Sequence, residues 1–287
     1  MHIISLHSQK GGTGKTSIAL SLVFEALNRG KVPLFIDADL SGTSVRDILH
    51  FDAPIGAHQS IEDFFLEVGS SRNPIDYLTY VSVLDQLNSQ QRRFPILLGR
   101  SHSSSKMMPL VYKENHTHYL RSRLEALINS ARKHHQIDTI IIDNSPGSWG
   151  LSQATKGIID EGKLKSNTDV TFKGQSVLVS STDLNDIVSC INLLAQASND
   201  KYTYVVNRSP YSADIAQNGN LIAQRLDAKG QAMSQPDYLS YAQELRAKNP
   251  IKWVSQEDAH LQNIYKQHVQ GFRPISNIKQ LFDLVVT

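Results

Sequence analysis

Residues with the types and spacing to hold a phosphate group lie near the start of the chain. They form one continuous run: Gln9, Lys10, Gly11, Gly12, Thr13, Gly14, Lys15, Thr16 and Ser17. Glycines let the backbone curl so that successive N–H groups converge on one anion. An apolar segment precedes the run and helical spacing follows it, so the dipole of a helix N-terminus would act at the same point. We therefore predict a phosphate-binding loop here.

Two side chains of this loop have the chemistry to assist phosphoryl transfer. The Lys15 ammonium would contact β- and γ-phosphate oxygens, and the Thr16 hydroxyl would bind Mg²⁺. The other residues from Gly11 to Ser17 would line the phosphates of a nucleotide. One position departs from the usual spacing, because Gln9 stands where a phosphate loop ordinarily has its first glycine.

Carboxylates follow two further apolar segments. Segment 32–36 is followed by Asp37 and Asp39, and segment 139–142 is followed by Asp143. A carboxylate at the end of a buried strand is costly unless it meets a metal ion or water. An apolar strand that ends on an aspartate is also typical of the residue that holds Mg²⁺ in phosphate-loop proteins. The three carboxylates are therefore candidate site residues.

The elements that must position these residues alternate between strand and helix. Continuous apolar runs, which predict strands buried on both faces, lie at 3–6, 32–36, 139–142, 177–179 and 203–206. Apolar stripes at helical spacing lie within 18–27, 120–131 and 187–195. This alternation predicts an α/β fold with a mostly parallel, doubly wound sheet flanked by helices. We expect a single domain, 1–287, with a variable basic insertion at 51–118 and a variable helical elaboration at 211–250.

The composition is that of a globular protein. The chain has 287 residues, of which 40% are hydrophobic and 20% charged. Its single cysteine, Cys190, excludes an internal disulfide and any site that needs paired cysteines within one chain, although two copies could still meet across a dimer as a two-thiolate site, and we expect a buried thiol. No apolar run approaches the ~18 residues of a membrane span, and the first residues lack a secretory pattern. We expect a cytoplasmic location.

The loop sequence resembles the deviant phosphate-binding loop, KGGxGKT[ST], of the ParA/MinD group of P-loop ATPases in the SIMIBI class. The resemblance implies binding of ATP and Mg²⁺, slow hydrolysis stimulated by a partner, and a homodimer that forms on ATP binding. In that group the early lysine, here Lys10, reaches across the dimer to the nucleotide of the other subunit. A cation delivered in this way stabilises charge on the transferred phosphoryl group.

The resemblance also implies roles for residues after the second and third apolar segments. Asp37 would hold a Mg²⁺-bound water, and Asp39, in switch I, would orient the attacking water. Asp143 would hold Mg²⁺ through water. Pro146 and Gly147 would belong to switch II, with the Gly147 amide meeting the γ-phosphate. The group usually has one residue fewer between the aspartate and the proline than this chain has.

A further match to the group lies at the end of segment 203–206. The group places an asparagine after this strand, and here Asn207 would read the adenine edge with its amide donor and acceptor. Arg208 beside it would stack on the base. Both residues are therefore candidate nucleotide contacts.

Positive charge is concentrated in the middle of the chain. Residues 72–135 carry ten Lys and Arg against four Asp and Glu, although the net charge of the whole chain is only +2. The basic residues that could form a DNA or partner surface are Arg92, Arg93, Arg121, Arg132 and Lys133. Such residues would give salt-dependent, nonspecific DNA binding, as in ParA-like partition and positioning ATPases. A regulatory protein partner with an acidic surface is the alternative.

Three other hypotheses use the same fold class. A MinD-like membrane-cycling ATPase needs a basic amphipathic anchor, whereas residues 275–286 hold one basic residue, Lys279, and Asp283 cancels its charge. We therefore expect a packed C-terminal helix there. A metallocentre-carrier ATPase would need paired cysteines. A biosynthetic enzyme such as a dethiobiotin-synthetase-like protein would phosphorylate a small carboxylate, but Lys10 favours the dimeric switch group.

Overall fold

Helices pack on both faces of one large sheet. The computed structural model describes residues 1–40, 45–46, 49, 51–52, 54, 59–67, 71–85, 90–99, 116–148, 150–165, 170–181, 183, 185–187, 189–190, 202–207, 252–256 and 276–286. Arg208, the predicted elaboration at 211–250 and most of the predicted helix at 187–195 lie outside the described residues.

The described strands belong to a main sheet and a short hairpin. The main sheet contains β1 (His2–His7), β2 (Pro33–Ala38), β3 (Thr79–Asp85), β4 (Gln90–Leu97), β5 (Thr139–Asn144), β8 (Lys173–Ser180), β9 (Tyr202–Asn207) and β10 (Lys252–Gln256). The hairpin pairs β6 (Lys163–Leu164) with β7 (Val170–Thr171). The described α-helices are α1 (Lys15–Asn28), α2 (Ile61–Leu66), α3 (Thr117–His135), α4 (Gly150–Glu161) and α5 (Ser276–Val286), and Pro74–Tyr77 form a short 3₁₀ helix.

The main sheet is parallel except at one edge. Its described strands lie in the order β10-β9-β8-β1-β5-β2-β4-β3, and only the pairing of β3 with β4 is antiparallel. Strands β2 and β5 are buried along their whole length, as their continuous apolar sequences predict for strands covered on both faces. The predicted α/β fold with a mostly parallel, doubly wound sheet is therefore confirmed.

Each face of the sheet packs against its own helices. Along β1, Ile4 faces the cluster that contains α1 and α5, and Ile3 faces the cluster that contains α3 and α4. On α3 the predicted apolar stripe, which includes Leu120, Leu124 and Leu127, is fully buried. Burying one such side chain contributes about 1.5–3 kcal/mol. The ends of the central strands are therefore held from both sides.

The region predicted as a variable insertion contributes to the main sheet. Within 51–118, β3 and β4 pair with each other and extend the sheet beyond β2. In β3 the buried residues Val81 and Val83 alternate with the half-exposed Tyr80 and Ser82. A search for continuous apolar runs misses such a strand, because an edge strand alternates with a period of two.

Two segments expected to be packed are packed. In α5, Ile278, Leu281 and Phe282 are buried in the core next to α1. Cys190 is fully buried, and burial raises the pKa of its thiol to about 12, so the thiol stays protonated. Among the described residues, no helix combines the length and apolar character needed to cross a membrane.

Candidate functional site

The predicted phosphate loop joins the end of β1 to the start of α1. Gly12 and Gly14 have φ angles of +76° and +82°, in the left-handed region where other residues would be strained. A Cβ placed on Gly12 would meet no atom within 4 Å, so the loop is open on that side. Helix α1 begins at Lys15, and its N-cap, Gly14, has no side chain to satisfy the first N–H groups. The loop therefore presents a helix N-terminus suited to an anion.

Lys15 is the buried cation of the site. Its side chain is only 5% exposed, and its Nζ lies 2.7 Å from Asp143 Oδ1 and 3.9 Å from Asp39 Oδ2. Burial raises the pKa of Asp143, and the charge of Lys15 and a hydrogen bond from Thr16 offset part of this rise. The structure thus brings together the lysine, the hydroxyl and two of the three carboxylates that the sequence singled out.

Asp37 completes the carboxylate group. It lies opposite Asp143 in the parallel pairing of β2 with β5. Its pKa is raised well above the usual 3.8, first by burial and then by the negative charges of Asp143 and Asp39. Oδ1 of Asp37 accepts a hydrogen bond from the Asp39 N–H at 3.2 Å. Two buried carboxylates on neighbouring strands repel each other, and a cation between them would relieve that repulsion.

The donor set fits a hydrated Mg²⁺ ion. Asp143 Oδ2 is buried and has no hydrogen-bond partner within the protein, and Thr16 supplies a hydroxyl beside it. Among the described residues there is no group of three or more His, Cys, Asp or Glu placed to hold a metal directly. Mg²⁺ keeps several waters and usually takes one or two carboxylates together with phosphate oxygens, so it does not need such a group. The metal roles of Thr16, Asp37 and Asp143 stay predictions.

The segment after β5 packs against the phosphate loop. The Gly147 N–H donates to the Ser8 carbonyl at 2.8 Å, and a Cβ on Gly11 would lie 3.9 Å from Pro146 Cγ. The Ser145 hydroxyl also donates to the Ala38 carbonyl at 3.1 Å, which ties this segment to the end of β2. The predicted switch residues Pro146 and Gly147 thus lie beside the loop. In this structure the Gly147 amide bonds to protein, and its γ-phosphate contact stays a prediction.

Lys10 lies at the surface of the same loop. Its side chain is 52% exposed, and its Nζ lies 3.2 Å from Asp183 Oδ1. The backbone N–H groups of Asn185 and Asp186 donate to the same oxygen. The bond from Asp186 and the Lys10 ammonium lower the pKa of Asp183, so this carboxylate is ionised at neutral pH. Nothing in the sequence marks Asp183 as a site residue, because a carboxylate in a turn is ordinary.

Asn207 contacts the phosphate loop itself. Its side chain is fully buried at the end of β9, and its Nδ2 donates to the Thr13 carbonyl at 2.6 Å. The structure therefore brings this residue to the predicted loop, although it lies far away in sequence. Its contact with adenine stays a prediction, as does that of Arg208, which lies outside the described residues.

Gly99 is a site residue that the sequence analysis missed. A Cβ at this position would lie 3.0 Å from the Asp39 carbonyl oxygen and 3.1 Å from Asp37 Cγ. Contacts this short would require the neighbouring atoms to shift slightly, so glycine lets the chain after β4 approach the two carboxylate residues closely. The signal was a glycine directly after the apolar segment 94–98, which lay in a region without an obvious period.

A buried polar network behind the loop was also missed. The His7 ring contacts the hydroxyls of Ser5 at 2.9 Å and Ser152 at 3.0 Å. The Asn144 amide donates to Ser5 at 2.8 Å and accepts from the Thr155 hydroxyl at 3.0 Å. Burial lowers the pKa of His7 to about 3, so its ring is neutral. The network connects β1, β5 and α4 beneath the loops that follow β1 and β5.

The predicted basic surface is only partly formed. Arg121 presents little exposed charge in this structure, because its side chain is 15% exposed and its guanidinium pairs with Glu125 and Glu161. Its part in a partner surface stays a prediction. Arg93 is exposed, pairs with Asp52 at 2.7 Å and lies over the Tyr80 ring. The described members that remain are Arg92, Arg93, Arg132 and Lys133.

Contacts of Tyr80 bring Arg93 towards the last turn of α3. The Tyr80 hydroxyl lies 3.1 Å from His135 Nε2, and the Arg93 guanidinium lies over the Tyr80 ring. The last turn of α3 contains Arg132, Lys133 and two histidines. Arg93 therefore lies near the last turn of α3, whereas Arg92, the residue before it in β4, points to the other face of the sheet.

Comparison with known proteins gives matches in structure and none in sequence. No protein-family model matches the chain, and no curated protein matches it. The septum site-determining protein MinD from Pyrococcus horikoshii, complexed with Mg-ADP, aligns with a TM-score of 0.56 and 17% identity, over 100% of this chain and 95% of that chain. An ATP complex of McdA from Cyanothece aligns with a TM-score of 0.55 and 16% identity, over 93% and 88%.

A putative plasmid partition protein from Borrelia burgdorferi, bound to AMPPNP, aligns with a TM-score of 0.56 and 12% identity, over 99% of this chain and 96% of that chain. Identities this low establish a shared fold, and the matches extend over nearly the whole chain. The resemblance seen in the loop sequence is thus confirmed at the level of the fold: this chain has the fold of the ParA/MinD-type P-loop ATPases.

Proposed function

We propose that this chain is an ATP-dependent dimeric molecular switch. It binds ATP with Mg²⁺, dimerises, hydrolyses ATP slowly and thereby changes its affinity for a partner. The observation that carries the proposal is the buried ion pair of Lys15 with Asp143, at 2.7 Å, where the phosphate loop enters α1. The buried lysine and the helix N-terminus can bind a nucleotide phosphate. The aspartate, which has one unpartnered oxygen, can bind the hydrated metal ion.

Lys15 and Asp143 exchange partners when nucleotide binds. The Lys15 ammonium leaves the carboxylate for phosphate oxygens, so one charge-assisted contact replaces another and the lysine is not left unpaired. Asp37 and Asp143 would then hold Mg²⁺ through water, and Thr16 would contribute its hydroxyl. Mg²⁺ supplies positive charge that neutralises the phosphate oxygens. The raised pKa values of Asp37 and Asp143 favour such a cation, because it stabilises their ionised forms.

Asp39 is the residue that orients the attacking water. Its side chain is 16% exposed, whereas Asp143 is fully buried, so among these carboxylates Asp39 can reach solvent. Its carboxylate lies 3.9 Å from Lys15, which keeps it next to the phosphate end of the loop. A carboxylate in this position can accept a hydrogen bond from water and fix the direction of attack.

Lys10 acts in the dimer. It is half-exposed and bonded to Asp183, another exposed side chain, so little desolvation opposes a change of partner. When a second subunit covers this surface, the ammonium can reach that subunit's nucleotide and stabilise charge on the transferred phosphoryl group. The solved structures that resemble this chain are named as a septum site-determining protein, McdA and a putative plasmid partition protein, which agrees with a switch that acts on a partner.

The partner surface comprises Arg93, Arg132 and Lys133. These residues give β4 and the end of α3 a positive charge that suits nonspecific DNA or an acidic protein. Arg121 is left out because its side chain is only 15% exposed and pairs with two glutamates, whereas Arg93, which is also paired, is 58% exposed. A dimer presents the surface twice, so binding would strengthen on ATP-driven dimerisation.

The function is tested by binding, turnover and assembly of the purified protein. Titration with ATP and Mg²⁺ is expected to show binding that EDTA weakens, and sedimentation is expected to show a dimer with ATP and a monomer with ADP. Absence of ATP binding would overturn the proposal. DNA binding by Asp39→Ala across a salt series tests the partner: steep, ATP-dependent loss with salt indicates DNA. An intact ATP dimer that binds no DNA indicates a protein partner.

A further inference from the structure

We propose that Asn207 is a positioning residue for the phosphate loop, which holds the Thr13–Gly14 peptide in its binding orientation whatever base the nucleotide carries. The inference rests on the proposed nucleotide-binding function and names a role that base recognition does not require. Its starting point is the hydrogen bond of 2.6 Å from Asn207 Nδ2 to the Thr13 carbonyl.

Asn207 is itself rigidly held. It is the last residue of β9, which pairs with β8 on one side and with β10 on the other. Its side chain has no exposed surface. A fully buried amide loses little further freedom when it holds a carbonyl, so its hydrogen bond transmits the position of the sheet to the loop.

The part of the loop that Asn207 contacts would have much backbone freedom without this hydrogen bond. Thr13 stands between Gly12 and Gly14, both at positive φ, and glycine is the residue with the most backbone freedom to lose. The first part of the loop has other attachments, because Ser8 Oγ donates to the Lys10 carbonyl at 3.0 Å and the Ser8 carbonyl accepts from Gly147. Asn207 supplies the attachment in the glycine-flanked part.

Fixing one carbonyl fixes the amide that follows it. A peptide unit is planar and trans, so the Thr13 C=O and the Gly14 N–H point in opposite directions. When Asn207 draws the carbonyl towards β9, the Gly14 N–H turns away from β9. Gly14 is the N-cap of α1, so the orientation of this peptide also sets how the chain enters the helix that carries Lys15.

The buried donor also separates this role from base recognition. The amide nitrogen that would contact a base is directed at the loop backbone, and the side chain has no surface open to a ligand in this structure. Loss of the amide should therefore weaken binding of the phosphates themselves. A base-reading residue would affect only ligands that contain the base.

The test compares ATP with inorganic tripolyphosphate, which has the phosphates and no base, in Mg²⁺-containing titrations of the full chain. Asn207→Ala is expected to lower the affinity for both ligands by a similar factor of about ten. This is the effect of losing a buried hydrogen bond and leaving a carbonyl unpaired. The matched control is Thr203→Val on the same strand. Thr203 is fully buried and accepts from Gln175 Nε2 at 3.1 Å, so this variant loses a buried bond away from the loop and is expected to bind tripolyphosphate normally.

A second variant, Asn207→Asp, keeps the shape of the side chain and directs an oxygen at the Thr13 carbonyl. Tripolyphosphate binding relative to wild type is expected to fall more than tenfold at about pH 8 and to recover towards about pH 5.5. Recovery is expected because a protonated carboxyl again donates to the carbonyl. This pH-dependent ratio decides the matter if Asn207→Ala does not fold.

Three results would overturn the inference while leaving the proposed function intact. The first is weaker ATP binding with unchanged tripolyphosphate binding, which would make Asn207 a base contact. The second is unchanged binding of both ligands. The third is an equal loss in Thr203→Val, which would indicate a general effect of β9. Wild-type protein that binds neither ligand would instead overturn the nucleotide-binding function, and this inference with it.

Discussion

Lys10 and Lys15 belong to the same loop, yet their surroundings differ sharply. Lys15 is 5% exposed and lies 2.7 Å from the fully buried Asp143, whereas Lys10 is 52% exposed and lies 3.2 Å from Asp183, which is 54% exposed. Removing one member of a buried pair leaves an uncompensated charge and costs about 3–5 kcal/mol. An exposed pair contributes only about 0–1 kcal/mol.

The difference teaches which lysine is fixed and which can move. Lys15 can exchange its partner only for another strong anion, because a desolvated ammonium must stay paired. Lys10 can leave Asp183 for water or for a second subunit at small cost. The loop thus contains one lysine suited to the proposed phosphate site and one suited to the contact proposed for the dimer.

Of the variants that test this comparison, Lys15→Ala is expected to have the largest effect, which is a loss of ATP binding. Loss of charge-assisted contacts to phosphate, each of about 1.5–3 kcal/mol, predicts at least a hundredfold weaker ATP binding. Calorimetric titration measures it, with Lys10→Ala as the control from the same loop, for which ATP affinity is expected within about threefold of wild type. Wild-type affinity in Lys15→Ala would remove the phosphate-loop assignment.

Asp39→Ala is expected to separate binding from turnover. The residue lies near Lys15 but is partly exposed, so its removal should leave ATP affinity within about threefold while kcat falls roughly a hundredfold, as for a lost water-positioning group. The variant should accumulate as an ATP dimer. Steady-state hydrolysis and sedimentation check both expectations, and an unchanged kcat would assign the water to another residue.

Lys10→Ala should reduce hydrolysis roughly tenfold, less than the loss of an arginine finger, because an ammonium is a point charge. It should also weaken the ATP dimer, while the free energy of unfolding of the monomer changes by less than about 1 kcal/mol. Sedimentation with ATP and denaturant unfolding measure the two quantities. A dimer of unaltered strength would favour the synthetase-like alternative, in which this lysine has no partner subunit.

Much of the fold could be predicted because its central strands are buried on both faces. The segments that became β1, β2, β5, β8 and β9 are continuous apolar runs that are too short for buried helices. Strand β3 was missed because its burial alternates at a sheet edge. The ion pairs of Arg121 could not be predicted for a different reason: a helical period indicates that a residue lies off the apolar stripe, but it cannot reveal a glutamate on another helix.

The residues of the candidate site likewise divide into those that the sequence predicted and those that it did not. Lys15, Asp37 and Asp143 were found because a local motif or a strand end marks each of them. Asp183 and Gly99 were missed because each is defined by what it meets in space, a lysine ammonium and the end of β2. The order of the strands in the sheet decides which distant residues become neighbours in this way. A single sequence does not show that order directly.

The smallest predicted effect concerns the cost of keeping carboxylates buried beside Lys15. Because the folded state raises the pKa of Asp37 above its usual 3.8, it binds more protons than the unfolded state above about pH 4, so stability declines as pH rises. Asp37→Asn should make this decline shallower, although the raised pKa of Asp143 still contributes to it. It should also raise the Tm of nucleotide-free protein by a few degrees at neutral pH, since ~1 kcal/mol shifts Tm by about 2–4 °C in a chain of this size. Asp160→Asn, at a half-exposed surface ion pair, is the control and should change the Tm at neutral pH by no more than about 2–4 °C. If the Tm of Asp37→Asn declined with pH as steeply as that of wild type, burial of the Asp37 carboxylate would not be the cause of the decline.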